Sequence, residues 1–226
     1  MLPLWDNAPR RGAAVVTRGL IAINLAVFIY ESVLAMRGGQ VLPSFLLEHA
    51  LVPQRLFDGL ADGRQWLSVL TSMFLHGSVA HVAGNCWFLW VFGKSVESRI
   101  GSVRYLLFYL LAGVGAAALQ VALSLHSTLP MLGASGAISG VMGAYLVLFP
   151  KVWIFTLVPW VVPVVPLPAF VLLIVWFALQ ALNGVGSLVD DAVARSGVAW
   201  WAHAGGFLTG LIMTIWLKRN GSIKRR

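Results

Sequence analysis

Charged residues make up only 11% of this 226-residue chain, and Asp and Glu together number 8. A water-soluble domain carries about a quarter of its residues as charges. With 59% hydrophobic residues and a mean hydropathy of +0.84, the composition predicts a polytopic membrane protein instead. Cysteine is scarcer still. The lone Cys86 excludes an internal disulfide and any multi-cysteine metal site, and reads as a small apolar helix residue. There is no His-Glu-x-x-His, the two-histidine helix motif of zinc proteases. No Asp falls inside an apolar run, so an aspartyl dyad within the membrane is excluded too. Neither a metal nor another cofactor is expected.

The apolar runs are Gly19 to Met36, Ser78 to Phe92, Tyr105 to Leu125, Ala134 to Phe149, Val161 to Leu182 and Val198 to Leu217. Their lengths are near the roughly 17 to 25 residues that a spanning helix needs. They predict an all-α integral membrane protein with six transmembrane helices, one domain over 1–226 with short tails at about 1–18 and 218–226. The first run is too long for a signal-peptide core and lacks a small-residue cleavage site, so it is expected to stay in the mature chain. The net charge of +8 reports orientation, not nucleic acid. Arg10, Arg11, Arg18, Lys94, Arg99, Arg104, Lys151 and the cluster from Lys218 to Arg226 fall on one side of the predicted spans. Arg37, Arg55, Arg64 and Arg195 fall on the other. The positive-inside rule then puts both termini in the cytoplasm.

Between the spans, Arg37 to Gln65 mixes Phe45, Leu46, Leu51 and Phe57 with Glu48, Arg55 and Asp58, as expected of a segment in the outer interface. Trp66 to Phe92 has no charge over 27 positions and is divided at His76-Gly77. Its first part is expected to approach the membrane and its second to cross. Pro159, Pro163, Pro166 and Pro168 crowd the start of the fifth span, which should be short or irregular there. Asn183 to Gly197, with Gly184, Gly186, Asp190 and Asp191, reads as an exposed loop able to cover a site at the level of Ser135. Trp153, Trp160, Trp200 and Trp201 fit an interfacial belt.

Two polar residues stand out inside apolar runs, Ser135 and His203. Ser135 lies 16 residues before Lys151 and His203 lies 15 before Lys218. At about 1.5 Å per helical residue, both sit roughly 22 to 24 Å above one face, at a shared depth. Gly136 and Gly140 on the fourth span, and Gly206 and Gly210 on the sixth, give each helix a small-residue face for close backbone approach. If those faces pack, hydroxyl and imidazole come within hydrogen-bond reach, as an activated nucleophile requires. For an isolated serine or histidine, simple packing is the better reading. His81 and Asn85, i and i+4 on the second span, reach the same level and shift the balance. As neutral donors they could stabilise an oxyanion together with the Ser135 N–H, or equally form an interhelical polar clasp. His76 reads as a structural hydrogen-bonding residue. With no carboxylate at that depth, the pair reads as a Ser/His dyad whose histidine is oriented by packing.

The pieces His81-Val82-Ala83-Gly84-Asn85, Gly133-Ala134-Ser135-Gly136, His203-Ala204-Gly205-Gly206 and Glu97-Ser98-Arg99-Ile100-Gly101 resemble, in order and spacing, the rhomboid intramembrane serine proteases. The resemblance implies Ser135 as nucleophile and His203 as base and acid, with His81, Asn85 and the Ser135 amide as oxyanion donors. It implies a partly submerged Arg37 to Gln65 loop and a fifth helix that gates substrate access, with Trp176 and Phe177 as candidate gate residues. Expected partners are transmembrane protein substrates and the lipid bilayer, and the expected location is a bacterial inner membrane. Two departures stand out: Trp66-Leu67-Ser68 lacks the Trp-Arg pair of many members, and Ser139 occupies a position that is aromatic in some. The competing class is a non-enzymatic membrane protein, either a proton or metal transporter using His76, His81 and His203, or an inactive rhomboid-like binder.

Overall fold

The computed structural model describes residues 1–10, 12–158, 162–190, 193 and 197–223. Arg11, Pro159, Trp160, Val161, Asp191 and Arg195 lie outside the described residues, as do 224–226. Helix α1 is Val15–Met36. Three short helices follow, α2 (Val41–His49), α3 (Pro53–Asp58) and α4 (Gly63–Thr71). Helix α5 (Val79–Phe88) continues through one π turn, Leu89–Gly93, into α6 (Lys94–Ile100). Helices α7 (Ser102–Leu123), α8 (Ser135–Leu148), α9 (Ala169–Gly186) and α10 (Trp200–Arg219) complete the helical part.

Helices α1, α7 and α9 are long and apolar enough to cross a membrane, and the bent pair Gly63–Phe74 plus Val79–Ile100 makes a fourth candidate. That pair turns by 81° across the His76-Gly77 break, where the sequence predicts the division. The break is held from α1. Glu31, 2% exposed within the first apolar run, accepts the His76 backbone N–H at 3.1 and 3.3 Å on its two oxygens. Ser78 then caps α5 by accepting from the His81 N–H at 3.1 Å, the expected job of a serine at a helix start.

Helix α8 has only 14 residues, about 21 Å at 1.5 Å per residue, and is buried from Gly136 through Tyr145. It packs between α7 and α10. Small residues make the approach possible. A Cβ on Gly206 would overlap the carbonyl oxygen of Gly136, and one on Gly210 that of Gly140, while one on Gly205 would meet Leu119 and Gly115 of α7.

The fold is not all-α. Leu2–Asp6 (β1), Trp153–Val158 (β2) and Val162–Pro168 (β3) form an antiparallel sheet in the order β1-β2-β3. Leu2 pairs with Leu157 and Asp6 with Ile154, and Trp5 stacks on Phe155 at 4.9 Å. The apolar pattern predicts a fifth span from Val161 and a tail over Leu2–Asp6. Prolines explain the difference. Pro166 and Pro168 have fixed φ and no N–H, which suits the edge strand β3 and forbids a helix there. The fifth helix therefore starts at Ala169 and runs to Gly186, into the stretch expected to be loop.

The sheet is tied to the helices by Asp6, which is buried. Its carboxylate accepts from the Tyr145 hydroxyl at 2.6 Å and the Ser95 hydroxyl at 2.9 Å, and pairs with Arg10. Nearby, Glu97 accepts from the Val16 and Thr17 N–H groups at 2.9 and 2.8 Å and from the Thr17 and Ser102 hydroxyls at 2.7 Å each. A carboxylate at the positive end of α1 is favourable. Gly101, at φ +86°, supplies the left-handed turn into α7 that other residues rarely adopt. The Glu-x-Arg-x-Gly piece thus acts as a helix-joining device.

Candidate active site

Ser135 is the first residue of α8, so its N–H has no carbonyl one turn earlier to bond. The chain reaches it through Gly133, at φ +121°, whose N–H donates to the Ser72 carbonyl at 2.8 Å. His203 lies near the start of α10. The glycine contact between the helices sets the register, and His203 Nε2 lies 2.8 Å from Ser135 Oγ. Residues 68 apart in sequence thus meet across the α8–α10 contact.

His81 and Asn85 face the same place. A Cβ on Gly133 would lie 2.7 Å from the His81 ring and 3.5 Å from Asn85 Nδ2, so both side chains pack on the backbone just ahead of Ser135. Asn85 is buried, and its Nδ2 has no hydrogen-bond partner among the described residues. A donor kept buried and unbonded is costly, which makes Nδ2 available to an acceptor arriving beside Ser135. His76 stacks edge-on to His81 at 5.2 Å and pairs through Nδ1 with the Phe74 carbonyl at 3.1 Å, as a structural residue would.

Sequence reasoning missed one member of the group. Nδ1 of His203 lies 2.8 Å from Oε1 of Gln180 on α9. Its signal was the i, i+4 relation of Trp176 and Gln180, which places an amide and an aromatic ring on one face of an otherwise apolar helix. Packing on the histidine comes from α9 and from its own helix. Trp176 lies 5.9 Å from the His203 ring and Trp200 meets it edge-on at 6.4 Å. Ser139 donates to the Ser135 carbonyl at 2.7 Å. Of the two gate candidates, Trp176 touches the histidine, whereas Phe177 stacks on Phe207 at 4.8 Å.

A cavity of about 930 Å³ opens over the group, with Ser135, His203, His81, Asn85 and Trp176 in its wall. Ser187, Leu188 and Gly197 of the α9–α10 connection line it as well, where the sequence reading put a cover. Trp200 and Trp201 are not simple belt residues. Trp200 is part of the cavity wall and Trp201 packs on Gly184, each with a buried indole N–H. Trp153, at the start of β2, is exposed. No group of three or more His, Cys, Asp or Glu able to hold a metal occurs among the described residues.

Helices apolar and long enough to cross a membrane, enclosing a hydroxyl hydrogen-bonded to an imidazole, mark an integral membrane protein. The chain belongs to the rhomboid family: residues 63–220 match the Rhomboid domain. It is 30% identical to the rhomboid protease AarA of Providencia stuartii over 90% of this chain and 73% of that protein. Identity is also 30% to the chloroplastic rhomboid-like protein 11 of Arabidopsis thaliana, over 88% of this chain and 63% of that one. It is 35% identical to the rhomboid protease GluP of Bacillus subtilis over 61% of this chain, which spans 25% of that larger protein.

Proposed function

We propose that this protein is an intramembrane serine endopeptidase that cleaves transmembrane or juxtamembrane segments of other membrane proteins. The observation that carries the proposal is the 2.8 Å contact between Ser135 Oγ and His203 Nε2 inside an open cavity. Ser135 Oγ attacks the scissile carbonyl carbon while His203 Nε2 takes the hydroxyl proton. The oxyanion that forms is stabilised by the Ser135 N–H, Asn85 Nδ2 and His81. His203 then gives its proton to the leaving amine. A water, deprotonated by the same nitrogen, hydrolyses the acyl-enzyme and restores Ser135.

We read α1, α5–α6, α7, α8, α9 and α10 as six crossings. Basic residues at Arg18, Arg104 and Lys218 put both termini in the cytoplasm, with a bacterial plasma membrane as the location. In this orientation the sheet is cytoplasmic and α2–α4 lie in the outer interface. The substrate carbonyl must be free of its own helical hydrogen bond, so segments that unwind near Gly, Pro or polar residues are favoured. Their route is past α9, with Trp176 and Phe177 as gate. Labelling with a serine-reactive phosphonate followed by peptide mapping tests the assignment. A covalent adduct on Ser135 that is lost in His203→Ala supports it, whereas an intact protein that takes up no label at Ser135 is a binder and not a protease.

A further inference from the structure

We infer that Gln180 is the positioning residue of His203, fixing which imidazole nitrogen carries the proton. The inference deepens the dyad reading above and rests on it. Gln180 is buried in an apolar 18-residue helix, where an amide without a partner is costly. Its oxygen lies 2.8 Å from His203 Nδ1. A carbonyl oxygen can only accept, so Nδ1 must carry the hydrogen. A neutral imidazole has one N–H, which leaves the Nε2 lone pair facing Ser135 Oγ at 2.8 Å. That is the tautomer a general base needs. With the proton on Nε2, two lone pairs would face each other at Nδ1 and the serine would lose its proton acceptor.

In soluble serine proteases a buried carboxylate sets the tautomer. Here no Asp or Glu lines the cavity among the described residues, and a charge at this depth is expensive. An amide does the same work without one. The acceptor and the aromatic face of Trp176, 5.9 Å from the same ring, come one turn apart from α9. The helix proposed to gate the site thus also carries the support of its base, and the base is formed only while α9 is seated against α10.

The test uses the full-length protein labelled with ¹⁵N-histidine in lipid nanodiscs, with the His203 signals identified by their loss in His203→Ala. Ring nitrogen shifts distinguish the two tautomers. The expected wild-type spectrum has the His203 proton on Nδ1, and Gln180→Met, which keeps the shape and removes the acceptor, spreads it over both nitrogens. A wild-type proton on Nε2, or a Gln180→Met spectrum identical to wild type, overturns the inference. The wild-type spectrum decides even if the variant does not fold. Phosphonate labelling gives a second reading. Gln180→Met should slow labelling of Ser135 about 10- to 100-fold. Equal rates in Gln180→Met and wild type overturn the inference. If wild type itself takes no label, the protease reading fails, and the nitrogen shifts still decide the role of Gln180.

Discussion

Gly206 of α10 lies so close over the carbonyl oxygen of Gly136 in α8 that no Cβ fits between them. This contact adjoins Ser135 in the chain, lies one turn beyond His203, and sets their separation. Gly206→Ala should push the helices apart, at a cost of about 1 to 3 kcal/mol in stability for overpacking. Labelling of Ser135 should fall by more than the stability loss explains. A thermal melt together with a labelling rate at a temperature where the variant is fully folded checks this. A folded variant with wild-type labelling would show that the glycine contact does not set the geometry.

Asn85→Ala removes a buried donor that has no other partner among the described residues. If Nδ2 stabilises the oxyanion, kcat should drop about 10²- to 10³-fold with KM little changed. Loss of a mere interhelical clasp would instead lower the melting temperature and leave kcat near wild type. Steady-state kinetics on a membrane-embedded substrate separates the two outcomes.

Asp6→Ala leaves the Tyr145 and Ser95 hydroxyls and Arg10 without their shared carboxylate. Loss of these bonds should destabilise the protein by about 1 to 3 kcal/mol without changing the chemistry at Ser135. Thermal unfolding in detergent and phosphonate labelling, measured on the same sample, should respectively shift and hold steady.

Glu97→Gln replaces one of two oxygens that together accept four hydrogen bonds with a donor. The start of α1 should fray, and stability should fall by about 1 to 3 kcal/mol. Hydrogen exchange at the Val16 and Thr17 amides should rise in the variant, and unchanged protection there would remove the capping role.

The meeting of Ser135 and His203 was legible because glycines mark where helices can touch and both residues adjoin such glycines. The break at His76-Gly77 was legible because an uncharged run of 27 residues exceeds one crossing. The sheet was not. Its strands are short, the prolines of β3 read as helix disruption, and β1 pairs across about 150 residues of sequence, which no local pattern reveals. Gln180 was hidden for another reason. A single amide in an apolar helix looks like tolerated polarity until the helix's rotation is known. Glu31 was passed over in the same way, as a lone charge in a run judged by its average hydropathy.

The most direct measurement is cleavage of a helical membrane substrate by the protein reconstituted in liposomes, with Ser135→Ala and His203→Ala prepared alongside. The expected result is proteolysis by wild type and none by either variant, each still folded and membrane-inserted. Cleavage that persists in both variants would contradict the assignment of the hydroxyl and imidazole as the catalytic pair.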